Sequence, residues 1–293
     1  MTKYKSTGHR LFCYANNTFL VGLSVLCIIP LINLLSVSLS DAAAANANIV
    51  GLWPVNFTLE AYQETWKNPN FTTAFLVSVV RTILGTALGL LVTCLAAYPM
   101  SKEKRSFRKR ETYAWFFIVT MVFSGGLIPS YILVQKLGLL NTLWALILPG
   151  IVSTWLIILM INFFRTIPKE LEESAMMDGA DHFTILFQIY LPLSLASIAT
   201  IALFIMVGHW NSWFDGMIYM TKSENYPLAT LLQTIVVQQD FTKTGIDPAL
   251  IEALSQRAVK AAQIFIAALP ILAVYPFLQR YFIKGIVVGA VKE

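Results

Sequence analysis

The feature that most constrains this chain is a set of six apolar windows, each about as long as a helix must be to cross a bilayer. Such a helix needs about 20 mostly apolar residues. Of the 293 residues, 57% are hydrophobic and only 13% are charged, whereas soluble domains carry about 25% charged residues. This composition excludes a soluble enzyme and a disordered chain. It predicts an all-α integral membrane protein with six transmembrane helices, at residues 18–39, 75–98, 112–134, 142–164, 195–220 and 261–282.

The first window shares features with a signal peptide, because Lys3, Lys5 and Arg10 precede it and an Ala-Asn-Ala stretch follows it. Its apolar run of about 20 residues is, however, longer than the roughly 7–15 residues of a cleaved signal peptide. We therefore expect this window to be retained as a signal anchor.

The distribution of lysine and arginine predicts the orientation. If both termini are cytoplasmic, the inner segments hold fourteen of these residues, six of them in 99–111. Cytoplasmic loops of membrane proteins carry such an excess. We therefore interpret the basic run 102–110 as a topology anchor rather than a nucleic-acid site.

Three segments between the windows are long enough to fold outside the bilayer. Residues 40–74 and 221–260 are predicted to lie on the outer side, and residues 165–194 on the cytoplasmic side. We therefore divide the chain into a first part, 1–74, with the N-terminus, the first span and an outer loop, and a core, 75–293, with the remaining spans.

The 165–194 segment is predicted to form two helices joined by a turn. Pro168 suits the first position of a helix, and the acidic residues after it favour the positive end of the helix dipole. Gly179 can adopt the left-handed conformation that ends a helix. Pro192 is expected to end the second helix. Apolar residues recur at the spacing of one helical face, at Phe183, Leu186, Phe187 and Tyr190.

The charge of this segment favours a protein partner over the bilayer surface. The segment carries five acidic residues against two basic ones. Helices that lie on a bilayer prefer a basic polar face. The apolar stripe is therefore expected to contact another protein.

The 165–194 segment resembles the EAA loop of ABC-importer permeases. Its motif reads Glu173-Ser174-Ala175, then Asp178-Gly179-Ala180, then Phe187 and Ile189-Tyr190-Leu191-Pro192, with Ser174 where alanine is usual. Further matches to the maltose-type carbohydrate importers are Trp210-Asn211, Tyr226-Pro227-Leu228 and the ending Tyr281–Lys292. From about residue 75 to its end, the chain is similar to the shorter, MalG-like permease subunit.

The resemblance implies a type I ABC importer permease fold in a bacterial inner membrane, and a larger machine around it. Such a permease pairs with a second permease subunit and two cytoplasmic ATPase subunits, and an extracytoplasmic binding protein delivers the sugar. The chain has no G-x-x-x-x-G-K-[ST] phosphate loop. We therefore expect a non-catalytic subunit without a cofactor of its own, with ATP and Mg²⁺ bound by the partner ATPase subunits.

The resemblance also implies two contact regions. Contact with the ATPase is expected at Glu173, Ser174, Ala175, Asp178, Gly179, Phe183 and Phe187. Contact with the binding protein is expected from the 221–260 segment, where the polar tip reads Phe241, Thr242, Lys243, Thr244 and Gly245. A loop that only caps the spans is the alternative for this tip.

Polar and aromatic residues inside the spans are candidates for a sugar path, because aromatic faces and amides suit sugar surfaces and hydroxyls. The alternative is interfacial tryptophans with polar contacts between helices. Arg81 has its own alternative, in which its side chain only reaches back to the membrane surface. Gly85 and Gly89 are interpreted as a site of close helix packing. The candidate path residues are Arg81, His209, Trp210, Asn211, Trp213 and Asp215.

Two other classes of protein compete with the importer. An ion-coupled secondary transporter would have broken helices and inverted repeats, neither of which is evident in the sequence. An intramembrane enzyme could use His209 and Asp215, which are six residues apart and so predicted on different faces of one helix. Neither class explains the 165–194 segment.

The substrate is expected to be an oligosaccharide, with a neutral one favoured over an acidic one. The case for an acidic sugar, such as a uronate fragment of alginate, rests on cations retained on the outer side at Arg81, Lys243, Arg257 and Lys260. Arginine could bind a uronate carboxylate in a bidentate manner. Four acidic residues of the 221–260 segment, however, balance its four bases.

Overall fold

The computed structural model describes residues 7–241 and 257–290, which form helices and no strand. The prediction of an all-α protein is therefore confirmed. Three helices are continuous and apolar enough to cross a membrane, over Gly8–Ser38, Pro69–Ser101 and Arg257–Pro276. Three further spans are possible if each of three bent helix pairs is counted as one, which makes six.

The bent pairs correct the prediction of single straight helices in the middle of the chain. In the window 112–134, α5 (Arg110–Val122) and α6 (Leu127–Lys136) meet at 112°. The bend falls at Ser124-Gly125-Gly126, where Gly126 has a φ of +85° that only glycine adopts readily.

The window 142–164 bends for a different reason. It contains α7 (Leu143–Ile147), a 3₁₀ turn at Leu148–Gly150 and α8 (Thr154–Phe164), and its two parts meet at 55°. Pro149 lies in that turn and lacks the N–H that a continuing helix would need.

The first compact unit consists of Met1–Thr72 and Val236–Leu269. The end of α1 (Thr7–Ser38) packs with α2 (Ala42–Asn46), α3 (Glu60–Lys67) and the start of the last helix around small residues such as Ala45, Ala61 and Ala262. Hydroxyl groups tie the connecting loop to α1, since the Ser36 hydroxyl donates to the Leu52 carbonyl over 2.7 Å. Upstream of this core, α1 is exposed along most of its length, as expected of a lipid-facing helix.

The second unit consists of Thr73–Ile235 and Pro270–Glu293. Its largest apolar core joins the C-terminal half of α4 (Pro69–Ser101) to α8, with Ala97, Met160 and Phe164 fully buried. The 165–194 segment packs on the same core through Ile185 and Tyr190. That segment is therefore anchored directly on the ends of two membrane helices.

The 165–194 segment contains the helices α9 (Lys169–Met177), α10 (His182–Ile185) and α11 (Leu191–Leu193), with a π turn between α10 and α11. The chain continues through α12 (Leu195–Asn211), α13 (Phe214–Tyr219) and α14 (Leu228–Phe241). The last helix, α15, covers Arg257–Ala290.

Close packing between α4 and α12 confirms the interpretation of Gly85 and Gly89. A Cβ atom on Gly85 would lie 2.6 Å from ring carbon Cδ2 of His209, and one on Gly89 would lie 3.3 Å from the Ile205 side chain. Glycine at these two positions is therefore what allows α12 to approach α4.

Candidate functional site

The turn of the 165–194 segment has the conformation that its sequence predicts. Gly179 has a φ of +85°, which ends α9 without the strain that a side chain would add. The Ala180 N–H donates to the Ala175 carbonyl over 2.9 Å, as in a helix-ending motif. Pro168 lies one residue before the first helical residue, Lys169, rather than at the first position itself.

The second helix of the segment begins at a side-chain cap. The Asp181 carboxylate accepts a hydrogen bond from the Thr184 N–H over 2.9 Å, as N-cap residues do. Hydrogen bonds from the Thr184 side chain and backbone hold the pKa of Asp181 below its usual value. At its other end the helix extends through Pro192 to Leu193, one residue beyond the predicted stop, and then meets α12 at 85°.

The predicted apolar stripe is half buried and half exposed. Leu186 and Tyr190 are buried in the core, whereas Phe183 and Phe187 are exposed. A π turn covers Leu186–Tyr190. The expectation that the whole stripe is offered to a partner is therefore wrong, because two of its four residues are buried in the protein's own core. One pair anchors the helix, and the other pair is available to a partner.

The predicted ATPase-contact residues nearly all lie on the surface. The exception is Ala175, which is half-buried against the core. Met176 and Met177, which are not among the predicted residues, are exposed next to them. The turn therefore offers a face with both acidic and apolar side chains. Its exposed members from the predicted set are Glu173, Ser174, Asp178, Gly179, Phe183 and Phe187.

A buried ion pair that the sequence did not reveal holds the segment in place. The Lys102 ammonium donates to Glu172 Oε2 over 2.6 Å and lies 3.9 Å from the ring centroids of both Tyr98 and Tyr190. The sequence predicts Lys102 only as one member of the basic run 102–110. The signal available in the sequence was its position just after an apolar helix, opposite a cluster of glutamates.

Arg81 lies inside the protein, and the alternative in which it reaches back to the membrane surface is wrong. Its side chain is only 2% exposed and forms an ion pair with Asp215. The guanidinium also donates to the carbonyl oxygens of Ser212, over 3.1 Å, and Leu146, over 3.3 Å. Because α4 begins at Pro69, Arg81 lies about three helical turns into the span.

Asp215 lies in the first turn of α13, directly after a break in the fifth predicted span. The window 195–220 is not one helix, because α12 ends at Asn211 and α13 begins at Phe214. The Asp215 carboxylate accepts hydrogen bonds from the Ser212 hydroxyl and the Gly216 N–H, each over 2.9 Å. These bonds satisfy polar groups that the break exposes.

A cavity of about 440 Å³, here called the Arg81 cavity, adjoins this break. Its volume falls within the range of about 300–1,000 Å³ that is typical of small-molecule sites. It is lined by Arg81, His209 and Asp215 together with Gly208 and Ser212. His209 and Asp215 therefore belong to two helices and face the same cavity, which corrects the prediction that they lie on different faces of one helix.

The remaining candidate path residues lie elsewhere. Trp210 is buried with its ring edge-to-face on Phe75, at 6.0 Å between centroids, and lines a different, apolar cavity. Trp213 is exposed and contacts Phe214, and Asn211 is exposed as well. The structure thus brings together three of the six candidate path residues.

The predicted binding-protein contact falls mostly outside the described residues. Phe241 is the last residue of α14, and Thr242, Lys243, Thr244 and Gly245 lie beyond the described range. At its start α14 is attached to α4, because the Leu228 N–H donates to the Ser78 hydroxyl over 2.7 Å.

Comparison with known proteins assigns this architecture to a family. Residues 18–288 match the model of the binding-protein-dependent transport system inner membrane component. The chain is 39% identical to Protein LplC of Bacillus subtilis (strain 168) over 291 residues, which are 99% of this chain and 98% of LplC.

A second relative and a solved structure carry substrate names. The chain is 37% identical to the polygalacturonan/rhamnogalacturonan transport system permease protein YtcP of the same organism, over 97% of this chain and 99% of YtcP. It also superposes with a TM-score of 0.85 and 30% identity on a chain of a bacterial ABC transporter involved in the import of the acidic polysaccharide alginate, covering 96% of this chain and all of that one. The chain therefore belongs to the inner-membrane components of binding-protein-dependent transport systems, and is a carbohydrate ABC-importer permease of type I fold.

Proposed function

We propose that this permease serves an importer of acidic oligosaccharides. YtcP is named for polygalacturonan and rhamnogalacturonan, and the alginate transporter for an acidic polysaccharide. All three names denote polymers that carry carboxylates. This similarity supports an acidic substrate over the neutral one that sequence analysis favoured.

Arg81 is not the residue that would select an acidic sugar. Its guanidinium is already paired with Asp215 and with two backbone carbonyl groups. A uronate carboxylate would have to displace Asp215, which would leave a second carboxylate without its partner. In this proposal the Arg81 cavity forms part of the sugar path, with His209 as its polar contact, and the ion pair fixes the shape of the cavity.

Energy for import comes, in this proposal, from two partner ATPase subunits that bind ATP and Mg²⁺, while this chain binds neither. A second permease subunit completes the path. The N- and C-termini are cytoplasmic, which places the 165–194 segment on the side of the ATPase. The 221–260 segment, with its tip at 241–245, then faces the extracytoplasmic binding protein.

The observation that carries the coupling role is the exposed turn around Gly179. Phe183 and Phe187 present apolar surface that a soluble partner can bury, and Glu173 and Asp178 lie beside them. Exposed apolar patches rimmed by polar residues mark protein contacts. We propose that this turn docks in a cleft of the ATPase and transmits its closure to the spans.

Two glycines that both adopt a positive φ allow a controlled test of this role. Gly179→Ala and Gly138→Ala both place a side chain at positive φ, +85° and +68°, with open space around the new Cβ. Only Gly179 lies in the proposed docking turn. We expect Gly179→Ala to uncouple ATP hydrolysis from transport in the reconstituted importer and Gly138→Ala to leave the two coupled. Equal transport per ATP in both variants would argue against docking at this turn.

Reversing the charge of Glu173 tests the proposed contact with the ATPase by measuring assembly of the complex. Glu173→Lys should reduce the amount of ATPase subunit that copurifies with the permease, because it replaces an acid at the docking turn. Glu64→Lys, at an exposed glutamate of α3, is the matched control and should copurify normally. Normal copurification of both variants would exclude Glu173 from the contact.

The substrate is tested by the binding protein of the same importer. ATP hydrolysis by the complex in proteoliposomes is measured while this binding protein is titrated with oligogalacturonate or with maltodextrin. We expect oligogalacturonate to stimulate hydrolysis and maltodextrin to have no effect. Stimulation by maltodextrin alone would restore the neutral oligosaccharide as substrate.

A further inference from the structure

We propose that Lys102 is a positioning residue that makes the 165–194 segment move together with the C-terminal end of α4. The inference rests on the proposed coupling role of that segment. It concerns a cluster of four side chains, Tyr98, Lys102, Glu172 and Tyr190, here called the Lys102 cluster.

The geometry of the cluster joins separate parts of the chain at one cation. Lys102 follows the last residue of α4, Glu172 is on α9, and Tyr190 is in the π turn. The Tyr190 hydroxyl donates to Glu172 Oε2 over 2.7 Å, the same oxygen that accepts from Lys102. Both halves of the 165–194 segment are therefore attached to the end of one span.

The rings of the cluster make this attachment stiff. The Lys102 ammonium lies over the face of each tyrosine ring, Tyr98 and Tyr190, which is a favourable cation–π arrangement. The two tyrosine rings meet edge-to-face with centroids 5.0 Å apart, and the Tyr190 ring also meets Phe164 of α8 at 5.4 Å. Packed interiors shift between discrete arrangements rather than deforming continuously, so the cluster should move as a unit.

Burial distinguishes this ion pair from its neighbours. Lys102 and Glu172 are 10% and 13% exposed, whereas Lys104 and Glu111 are 68% and 62% exposed. Burial lowers the pKa of Lys102, and the adjacent Glu172 opposes this effect. A buried charge that loses its partner is strongly unfavourable. The 165–194 segment therefore cannot slide away from α4 without leaving Lys102 and Glu172 unpaired.

Helix α4 connects the Lys102 cluster to the Arg81 cavity. Tyr98 and Arg81 are both on α4, 17 residues apart, which is about 25 Å along a helix. A displacement of the 165–194 segment would thus reach the cavity through a single helix. This arrangement supplies the connection that the proposed coupling requires.

The test uses the complete importer with its partner subunits, reconstituted in proteoliposomes. The quantity measured is the amount of oligosaccharide imported per ATP hydrolysed, beside the amount of ATPase subunit bound per permease. Lys102→Met keeps the apolar stem and removes the charge. We expect it to bind the ATPase subunits normally but to import about tenfold less per ATP, within the range for residues that transmit coupling.

Conservative and control variants make the test specific. Lys102→Arg retains a cation that stacks on aromatic rings and should restore import per ATP. Tyr190→Phe retains the ring, loses the hydroxyl donor to Glu172 and should reduce the ratio by a few fold. Lys104→Met removes a cation of the same basic run that is 68% exposed and paired with Glu111, outside the 165–194 segment, and should keep the wild-type ratio.

Two results would overturn the role of Lys102. One is a wild-type import-to-hydrolysis ratio in Lys102→Met. The other is an equal loss in Lys104→Met. If Lys102→Met does not assemble, Tyr190→Phe decides through the same ratio, and a wild-type value overturns the inference. Failure here remains distinguishable from failure of docking, because Gly179→Ala tests the docking turn at a position where the new Cβ meets no neighbouring atom.

Discussion

Asp215→Asn is the sharpest test of the ion pair at the broken span. Asparagine keeps the size of the side chain and an oxygen that can accept from Ser212 and Gly216. It loses the charge and the second carboxylate oxygen, which accepts from Arg81. Arg81, at 2% exposed, would then be a buried cation without a counterion. Removing one partner of a buried ion pair costs about 3–5 kcal/mol. Because Asp215 is 22% exposed, we expect the lower end of this range, about 3 kcal/mol.

A double-mutant cycle separates the pair from general damage to the site. Arg81→Met alone should lower the free energy of unfolding by a similar amount, because it leaves the Asp215 carboxylate unpaired. The double variant leaves no unpaired charge and should lose about 3 kcal/mol in total rather than about 6. The matched control is the exposed pair Lys104–Glu111, whose loss should cost less than about 1 kcal/mol.

The assay is thermal unfolding of the purified permease complex, followed by intrinsic fluorescence. At about 2–4 °C per kcal/mol, each single variant should lower the midpoint by about 6–12 °C. The account of the pair is refuted if either single change shifts the midpoint no more than the exposed control does. It is equally refuted if the double variant loses the full sum of the two single losses.

Two further predictions concern packing and pH. Gly85→Ala should lower the free energy of unfolding by about 1–3 kcal/mol, because its Cβ would overlap the His209 ring. In the thermal unfolding assay, adding His209→Ala should restore part of this loss. Gly22→Ala should cause no loss, because a Cβ on Gly22 would meet no neighbouring atom. The pKa of Asp181 is lower in the folded protein than in the unfolded chain, where an aspartate has a pKa of about 3.9. The Asp181 cap should therefore stabilise the second helix fully when the pH is above about 3.9. This stabilisation should be lost as the pH falls through the lower pKa of the folded protein. Hydrogen exchange at the Thr184 amide, corrected for its intrinsic rate, should therefore accelerate in acid, and the acceleration should be absent in Asp181→Asn.

The sequence predicted the features that depend on local signals. Six apolar windows lead to the correct class because hydropathy over about 20 residues reports bilayer depth directly. The turn at Gly179 was predictable because an acidic helix start, a glycine and a following apolar helix all agree. Most of the residues that the motif predicts to contact the ATPase lie on the surface, and Ala175 is half-buried.

The sequence did not reveal contacts made across long separations. Arg81 and Asp215 are 134 residues apart, and nothing in either local context identifies the other as its partner. Lys102 was hidden for a related reason, because one buried lysine within a run of basic residues has no distinct local signal. Such pairings depend on how helices pack, which hydropathy does not describe.

Helix breaks were also missed, and they change how the competing functions are weighed. The bend at Gly126 and the interruption between Asn211 and Phe214 lie inside windows that read as continuous, because small and polar residues barely lower an average over 20 positions. Broken helices alone would have favoured an ion-coupled secondary transporter. The chain's membership of the binding-protein-dependent transport family favours an ABC importer over an ion-coupled secondary transporter.

Uptake of labelled oligogalacturonate into proteoliposomes tests the central claim most directly. The vesicles hold this permease with its second permease subunit and ATPase subunits, and the binding protein and sugar are added on the side of the 221–260 segment. We predict uptake that requires ATP hydrolysis, is unaffected by sodium and proton ionophores, and exceeds maltodextrin uptake. Uptake that proceeds without ATP and collapses with an ion gradient, or uptake of maltodextrin alone, would contradict the account.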